Sequence, residues 1–162
     1  DRGRNNEPSS QIDHELYLSL LRSILLPFLD CYYWGFTFLK TANFHGYRYT
    51  KNGLVQDIQK YLRALSKRGY LDFYESSTRE HVEQFVAVCN RFDIILKVEE
   101  ASPVSLTARR WLKVDITNPM FLELVKKIHG IREMFTTTQQ LPKTEMTKIM
   151  TNAYRGPVSK LQ

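Results

Sequence analysis

The feature that most constrains this chain is a long stripe of apolar residues near its N-terminus. The members recur every three or four positions, which is the spacing of one face of an α-helix. They are Leu16, Leu20, Leu21, Ile24, Leu25, Phe28, Leu29, Tyr32, Phe36 and Leu39. Pro27 interrupts the stripe. Because proline removes a backbone donor and clashes with the preceding turn, we expect a kink or break between Arg22 and Leu26.

The second half of this stripe, residues 25–39, is apolar on nearly every side. It is shorter than the roughly 20 residues that a membrane-spanning helix needs. Two interpretations stay open, a central core helix or a helix lying at a membrane interface, where aromatic rings are favoured. The candidate membrane or domain interface consists of Leu25, Phe28, Tyr32, Tyr33, Trp34 and Phe36.

The remaining elements are shorter and better delimited. Leu54 to Leu65 has helical spacing and ends at Arg68–Gly69, and Ser77 with Glu80 predicts the capped start of a third helix. The spacing of apolar residues then changes from helical to strand-like, which predicts strands over Ile94–Glu99 and Trp111–Ile116. A helix that begins at Asn118–Pro119 follows. The predicted fold is mainly α with a small antiparallel β-hairpin, a helical bundle in winged-helix-like helix-helix-helix-hairpin-helix order.

The length of 162 residues fits one domain with trailing segments. We divide the chain into a flexible arm (1–11), a helical domain with a hairpin (12–135) and a basic, loosely ordered tail (136–162). Apolar residues make up 43% and charged residues 25%, which excludes wholesale disorder. Because the chain begins with Asp1 rather than methionine, we expect it to be a piece of a longer polypeptide.

The formal net charge of +6 favours an anionic partner. The candidate basic face consists of Lys60, Arg63, Lys67, Arg68, Arg109 and Arg110. In a winged helix the helix before the hairpin usually enters the major groove of DNA. Here that helix carries two arginines and two glutamates, so it lacks the positive charge that supplies most DNA affinity. Binding of nucleic acid or of a protein partner by a winged-helix-like module is therefore the alternative function.

Residues that could catalyse a reaction or bind a metal are few and scattered. Cys31 and Cys89 lie in apolar helical runs and are expected to be buried thiols, and the four histidines form no cluster, so no metal site and no cofactor are predicted. No nucleophile elbow, P-loop or dinucleotide motif is present in the sequence, so no catalytic residue is assigned. Asp30 stands inside an apolar run, where we expect helix packing to supply a cationic partner.

A resemblance to a known family begins at Leu26-Pro27-Phe28-Leu29-Asp30-Cys31-Tyr32-Tyr33. This run, followed by the Arg68-Gly69 turn, by Glu75-Ser76-Ser77 and by the strand after Phe92, is similar to the C-terminal region of the glycerol-3-phosphate and dihydroxyacetone-phosphate acyltransferase family. The resemblance covers roughly residues 15–135. It implies a parent enzyme that transfers an acyl group from an acyl thioester to the sn-1 hydroxyl of a glycerol phosphate.

The catalytic motif of that family, H-x-x-x-x-D, is missing from this sequence. The residues five positions after the four histidines are Ser19, Thr50, Val86 and Met134. The resemblance therefore implies a non-catalytic accessory region that packs on the catalytic domain of the same protein and contacts a membrane surface. It also implies an intracellular, membrane-associated location, on the mitochondrial outer membrane or the peroxisome. We expect no acyl transfer from these residues alone.

Overall fold

The computed structural model describes residues 8–44, 48–100 and 109–135. The helices are α1 (Pro8–Phe44), α2 (Lys51–Lys67), α3 (Arg79–Arg91) and α4 (Pro119–Phe135), and a short 3₁₀ helix (Tyr74–Ser77) precedes α3. Strands β1 (Ile95–Glu100) and β2 (Arg109–Val114) form the hairpin. The structure confirms the mainly α fold and its winged-helix-like order. The tail over 136–162 and most of the hairpin loop lie outside the described residues.

Helix α1 runs without interruption through Pro27, so the expected break between Arg22 and Leu26 is absent, while the expected kink stays a prediction. The helix also begins at Pro8, within the segment assigned to the flexible arm. The residues after Pro27 explain the continuity, since most of them from Asp30 to Ala42 are buried by other elements. Their packing offsets the one backbone hydrogen bond that proline cannot donate.

The ends of the other helices follow local rules. Thr50 caps α2 by accepting a hydrogen bond from the Gly53 amide, and α2 ends before Gly69, whose φ is +75°. For α3 the predicted cap is one residue early. Thr78 rather than Ser77 accepts the hydrogen bond from the His81 amide, because Ser77 already belongs to the 3₁₀ helix and donates to the carbonyl of Tyr74.

The hairpin is antiparallel, with Ile95 opposite Val114 and Val98 opposite Trp111. On the other side of β2, Tyr49 exchanges both backbone hydrogen bonds with Leu112. This short bridge occupies the place of a third strand, between α1 and α2 in the chain. It ties the loop after α1 to the hairpin.

The core is centred on the second half of α1. Trp34, Phe36, Phe38 and Leu39 are buried together with residues of α2, α3, both strands and Phe121 of α4. Gly35 is where α1 and α3 approach most tightly, because a Cβ at this position would lie 2.7 Å from the ring of Phe85, which is itself fully buried. Glycine is therefore required here by packing rather than by backbone conformation.

Replacing Gly35 with alanine should destabilise the fold. The new methyl group forces a buried ring to move, and overpacking of this kind costs about 1–3 kcal/mol. Gly130→Ala in α4 is the matched control, because a Cβ there meets nothing within 4 Å and the higher helix propensity of alanine should stabilise by up to about 1 kcal/mol. Urea denaturation measures both variants. Equal effects of the two substitutions would contradict the packing described at Gly35.

Candidate functional site

The N-terminal half of α1 is a helix that the other described elements leave largely uncovered. Every described side chain from His14 to Leu25 is exposed except Leu21, which is half-buried. Many of them are apolar, and we call this set the uncovered face: Leu16, Tyr17, Leu18, Leu20, Ile24, Leu25 and Phe28. Leu16 is 69% exposed and Leu20 is 56% exposed. These exposed apolar side chains make the uncovered face the candidate interaction surface of the chain.

The six interface candidates that the sequence indicated differ in their exposure in the structure. Leu25 and Phe28 belong to the uncovered face, and Tyr32 and Tyr33 are half-buried. Trp34 and Phe36 are buried in the core of the chain itself, at 4% and 2% exposure, so neither side chain is accessible to a membrane or to another domain in this fold. Their rings serve internal packing, and Phe36 contacts both Phe85 and Phe121 edge to face.

Apart from Leu25 and Phe28, the uncovered face was missed as a site because its residues have the same helical spacing as the core residues that follow. The sequence analysis placed Leu16, Leu20 and Ile24 in one stripe with Phe36 and Leu39. A single sequence shows which residues share a helix face but not which part of the helix other elements cover. The number of apolar residues outside the stripe, such as Tyr17 and Leu18, was the signal available.

Phe28 joins the uncovered face to the start of α3. Its ring contacts that of His81 edge to face, with 4.3 Å between centroids. The His81 ring is fixed in turn, because its Nδ1 lies 2.7 Å from the hydroxyl oxygen of Thr78 and 2.8 Å from the carbonyl oxygen of Glu75. The base of the projecting half of α1 is thus held by packing against α3.

A buried ion pair fixes α4 against α1. Arg132 Nε donates to Asp30 Oδ1 at 2.6 Å, and the guanidinium lies over the rings of Tyr33 and Trp34. The side chain of Asp30 is fully buried, and that of Arg132 is 9% exposed. This confirms the expectation of a cationic partner for Asp30. Burial raises the pKa of Asp30 above its ordinary value, and the charge of Arg132 opposes that rise.

Removing one member of this pair should be strongly destabilising. Arg132→Met leaves the Asp30 carboxylate buried without its cation, which costs about 3–5 kcal/mol. The double variant Asp30→Leu/Arg132→Met removes both charges and should recover most of that loss, since a buried pair replaced by apolar residues is often neutral. Urea denaturation at neutral pH compares the two variants. Equal stability of the single and double variants would contradict the account.

The pH dependence of the free energy of unfolding of the same two variants provides the control. Without Arg132, burial raises the folded-state pKa of Asp30 above its unfolded value of 3.8 with less opposition. A group whose folded-state pKa is raised stabilises fully below the unfolded pKa, and this contribution is lost as the pH rises through the folded-state pKa. The single variant should therefore lose stability, relative to the double variant, as the pH rises from about 4 to 7. A constant difference would show that Asp30 does not titrate in this site.

The basic candidates form a stripe on the outer face of α2. We call Lys60, Arg63 and Lys67 the basic stripe, since they share one exposed face of the helix at three- and four-residue spacing. Lys60 lies 3.3 Å from Asp57, while Arg63 and Lys67 form no ion pair within the described part of the chain. Arg68 follows at the C-cap and is exposed. The side chains of Arg109 and Arg110 lie outside the described residues.

The outer face of α3 is charge-balanced. Arg79 Nε donates to Glu83 Oε1 at 2.7 Å, and the exposed residues Glu80 and Arg91 cancel in charge. Beside this face, a groove of about 260 Å³ between α2 and α3 is lined by residues that include Lys51, Glu83 and Asn90. That volume is below the roughly 300–1,000 Å³ typical of ligand pockets.

Catalytic chemistry finds little support in the side chains that the structure describes. Cys31 and Cys89 are fully buried free thiols, and burial raises the pKa of Cys31 to about 12 and that of Cys89 further still, so neither forms a reactive thiolate at neutral pH. Across the described residues, no cluster of three or more potential metal ligands occurs. The same residues contain no helix with the length and hydropathy needed to cross a bilayer.

Comparisons of the chain with protein-family models, with curated proteins and with solved structures find no match.

Proposed function

We propose that this chain is a non-catalytic accessory region of a glycerolipid-synthesising acyltransferase, which attaches to the catalytic domain through the uncovered face of α1. The observation that carries the proposal is that face, since seven large apolar side chains lie exposed on one continuous helix. The resemblance of residues 15–135 to the C-terminal region of the family supplies the identity of the larger body. That body transfers the acyl group to glycerol phosphate or dihydroxyacetone phosphate.

The division of α1 supports a role in attachment. Residues 8–25 span about 27 Å of helix, at about 1.5 Å per residue. Most of the stability of a helix in a protein comes from tertiary packing rather than from the isolated helix. Here this segment continues into a half that is locked in the core by Trp34, Phe36 and the Asp30–Arg132 pair. The locked half holds the projecting half in a helical conformation that is ready to dock.

A membrane surface is the second contact of this proposal. The basic stripe on α2 presents positive charge that suits the anionic cytoplasmic face of a bilayer. By resemblance, that bilayer is the mitochondrial outer membrane or the peroxisomal membrane. The basic stripe and the uncovered face are distinct surfaces, so membrane contact and attachment to the catalytic domain can be tested separately.

Charge placed on the uncovered face should inactivate the complete polypeptide encoded by the open reading frame of this chain. Leu20→Asp and Ile24→Asp bring a carboxylate into an apolar interface, and acyl transfer to glycerol 3-phosphate should fall by more than about tenfold. Ser19→Asp, on the polar side of the same helix, is the matched control and should keep its activity. Because these positions are exposed, the thermal stability of the isolated chain should be nearly unchanged in all three variants.

Two outcomes would overturn the proposal. One is an open reading frame that encodes no H-x-x-x-x-D motif and no acyl-transfer activity. The other is full activity in the Leu20 and Ile24 variants, which would show that catalysis does not depend on the uncovered face.

The alternative function is a winged-helix-like module that binds nucleic acid or a protein. The element order and the third-strand bridge at Tyr49 favour it, and the basic stripe supplies some positive charge. The charge balance of α3 opposes it, because this helix would read the major groove.

Fluorescence anisotropy with a labelled DNA duplex separates the two functions. Under the acyltransferase proposal, binding at physiological salt should be no tighter than non-specific binding, with a Kd of about 10⁻⁴ M or weaker. Tight binding that falls steeply with salt, and that is lost when Lys60, Arg63 and Lys67 are changed to glutamate, would establish the alternative. Arg22→Glu, a single charge change away from the stripe, is the control for net charge.

A further inference from the structure

We infer that the uncovered face is enclosed in an uncharged, apolar groove built from at least two elements of a protein partner, rather than by one helix or by a lipid surface. The inference rests on the proposed function, because that function supplies the partner, the catalytic body of the same polypeptide. It goes beyond that function by stating the shape and chemistry of the surface that receives α1.

The first argument is the width of the apolar sector. Side chains on an α-helix are separated by about 100° per residue. Taking Leu16 as the origin, Leu20, Ile24, Tyr17, Phe28 and Leu25 follow in angular order, and Leu18 closes the sector at about 200°. Arg22, Glu15, Ser19 and Ser23 fill most of the rest of the circle. Among the exposed residues from 15 to 28, the apolar and polar sectors do not overlap, so slightly more than half of the helix circumference is apolar and exposed.

A sector this wide exceeds what one helix covers. Two helices that pair in a coiled coil bury a narrow seam of two positions in seven. Pairing of α1 with a single helix, including α1 of a second copy, would cover Tyr17, Ile24 and Phe28. Leu16 and Leu18, at the two margins of the sector, would remain in water. Burial of both margins requires protein on both flanks of α1, which is the geometry of a groove.

The second argument is charge. Over residues 14–28 the apolar sector contains no lysine, arginine, aspartate or glutamate. Interfacial membrane helices carry lysine and arginine on the polar side, which bind anionic headgroups. On α1 the polar side holds only Glu15 and Arg22, which cancel, and Arg22 already faces Asp72 at 3.9 Å. An uncharged protein surface complements this helix, and an anionic bilayer does not.

Cysteine labelling resolves the two margins individually. Leu16→Cys and Leu18→Cys mark the margins, and Ser19→Cys marks the polar side as the control. The native Cys31 and Cys89 are fully buried, so they contribute little background. Each variant is treated with iodoacetamide, first in the isolated chain and then in the complete polypeptide of the same open reading frame. Peptide mass spectrometry measures the labelling rate at each site.

The inference predicts fast labelling at all three sites in the isolated chain. In the complete polypeptide, both margins should be protected by about tenfold or more while Ser19→Cys changes by less than about twofold. Protection at only one margin would overturn the groove while leaving attachment, and thus the proposed function, intact. Fast labelling at both margins in an active polypeptide would overturn the groove and would also remove the role proposed for the uncovered face.

Two further experiments on the isolated chain test whether a second copy or a lipid bilayer covers the uncovered face. Light scattering measures self-association, and labelling in the presence of neutral or anionic phospholipid vesicles measures protection by a bilayer. A dimer that protects both margins would assign the face to a second copy, and vesicles that protect both margins would assign it to a bilayer. Either result overturns the inference. A monomer that stays equally reactive with vesicles supports it.

Discussion

Helix α1 carries more apolar surface than the other elements described by the structure cover. From Asp30 onward the other helices and the hairpin pack around it, and that burial supplies the main favourable free energy of the fold. Before Leu26 no described element surrounds it, yet the apolar residues continue. Leaving them in water forgoes roughly 25 cal/mol for each Å² of apolar surface. This imbalance within a single helix is the reason to expect a partner.

The Asp30–Arg132 pair determines how α4 is positioned on α1. Phe121 anchors the start of α4 in the aromatic core, and Arg132 anchors its end on Asp30, so α4 is clamped along the helix that it covers. An ion pair at such depth contributes little net stability compared with apolar residues of similar volume. Its role is to fix the position of α4, because the buried guanidinium of Arg132 lies over the rings of Tyr33 and Trp34.

Local signals in the sequence predicted most element ends and the hairpin. Gly69 after α2 and the Asn118–Pro119 start of α4 are set by backbone chemistry within a few residues, and the structure keeps both. What the sequence could not supply was non-local. The cationic partner of Asp30 lies 102 residues away, so its charge could be predicted but not its identity. Trp34 was assigned to an interface because aromatic rings suit a core and a membrane boundary equally well. Most of the uncovered face was missed because one sequence does not show which part of a helix other elements cover.

The central claim is that a partner covers the N-terminal half of α1. Amide hydrogen exchange over residues 14–25 tests it most directly, since it measures whether other protein packs on this helix without any substitution. In the isolated chain the account predicts rapid exchange there and slow exchange over residues 30–42, because opening free energies are low where tertiary packing is missing. In the complete polypeptide, residues 14–25 should become protected to a similar degree. Equal, rapid exchange of residues 14–25 in both proteins would show that nothing covers this helix, and would contradict the account.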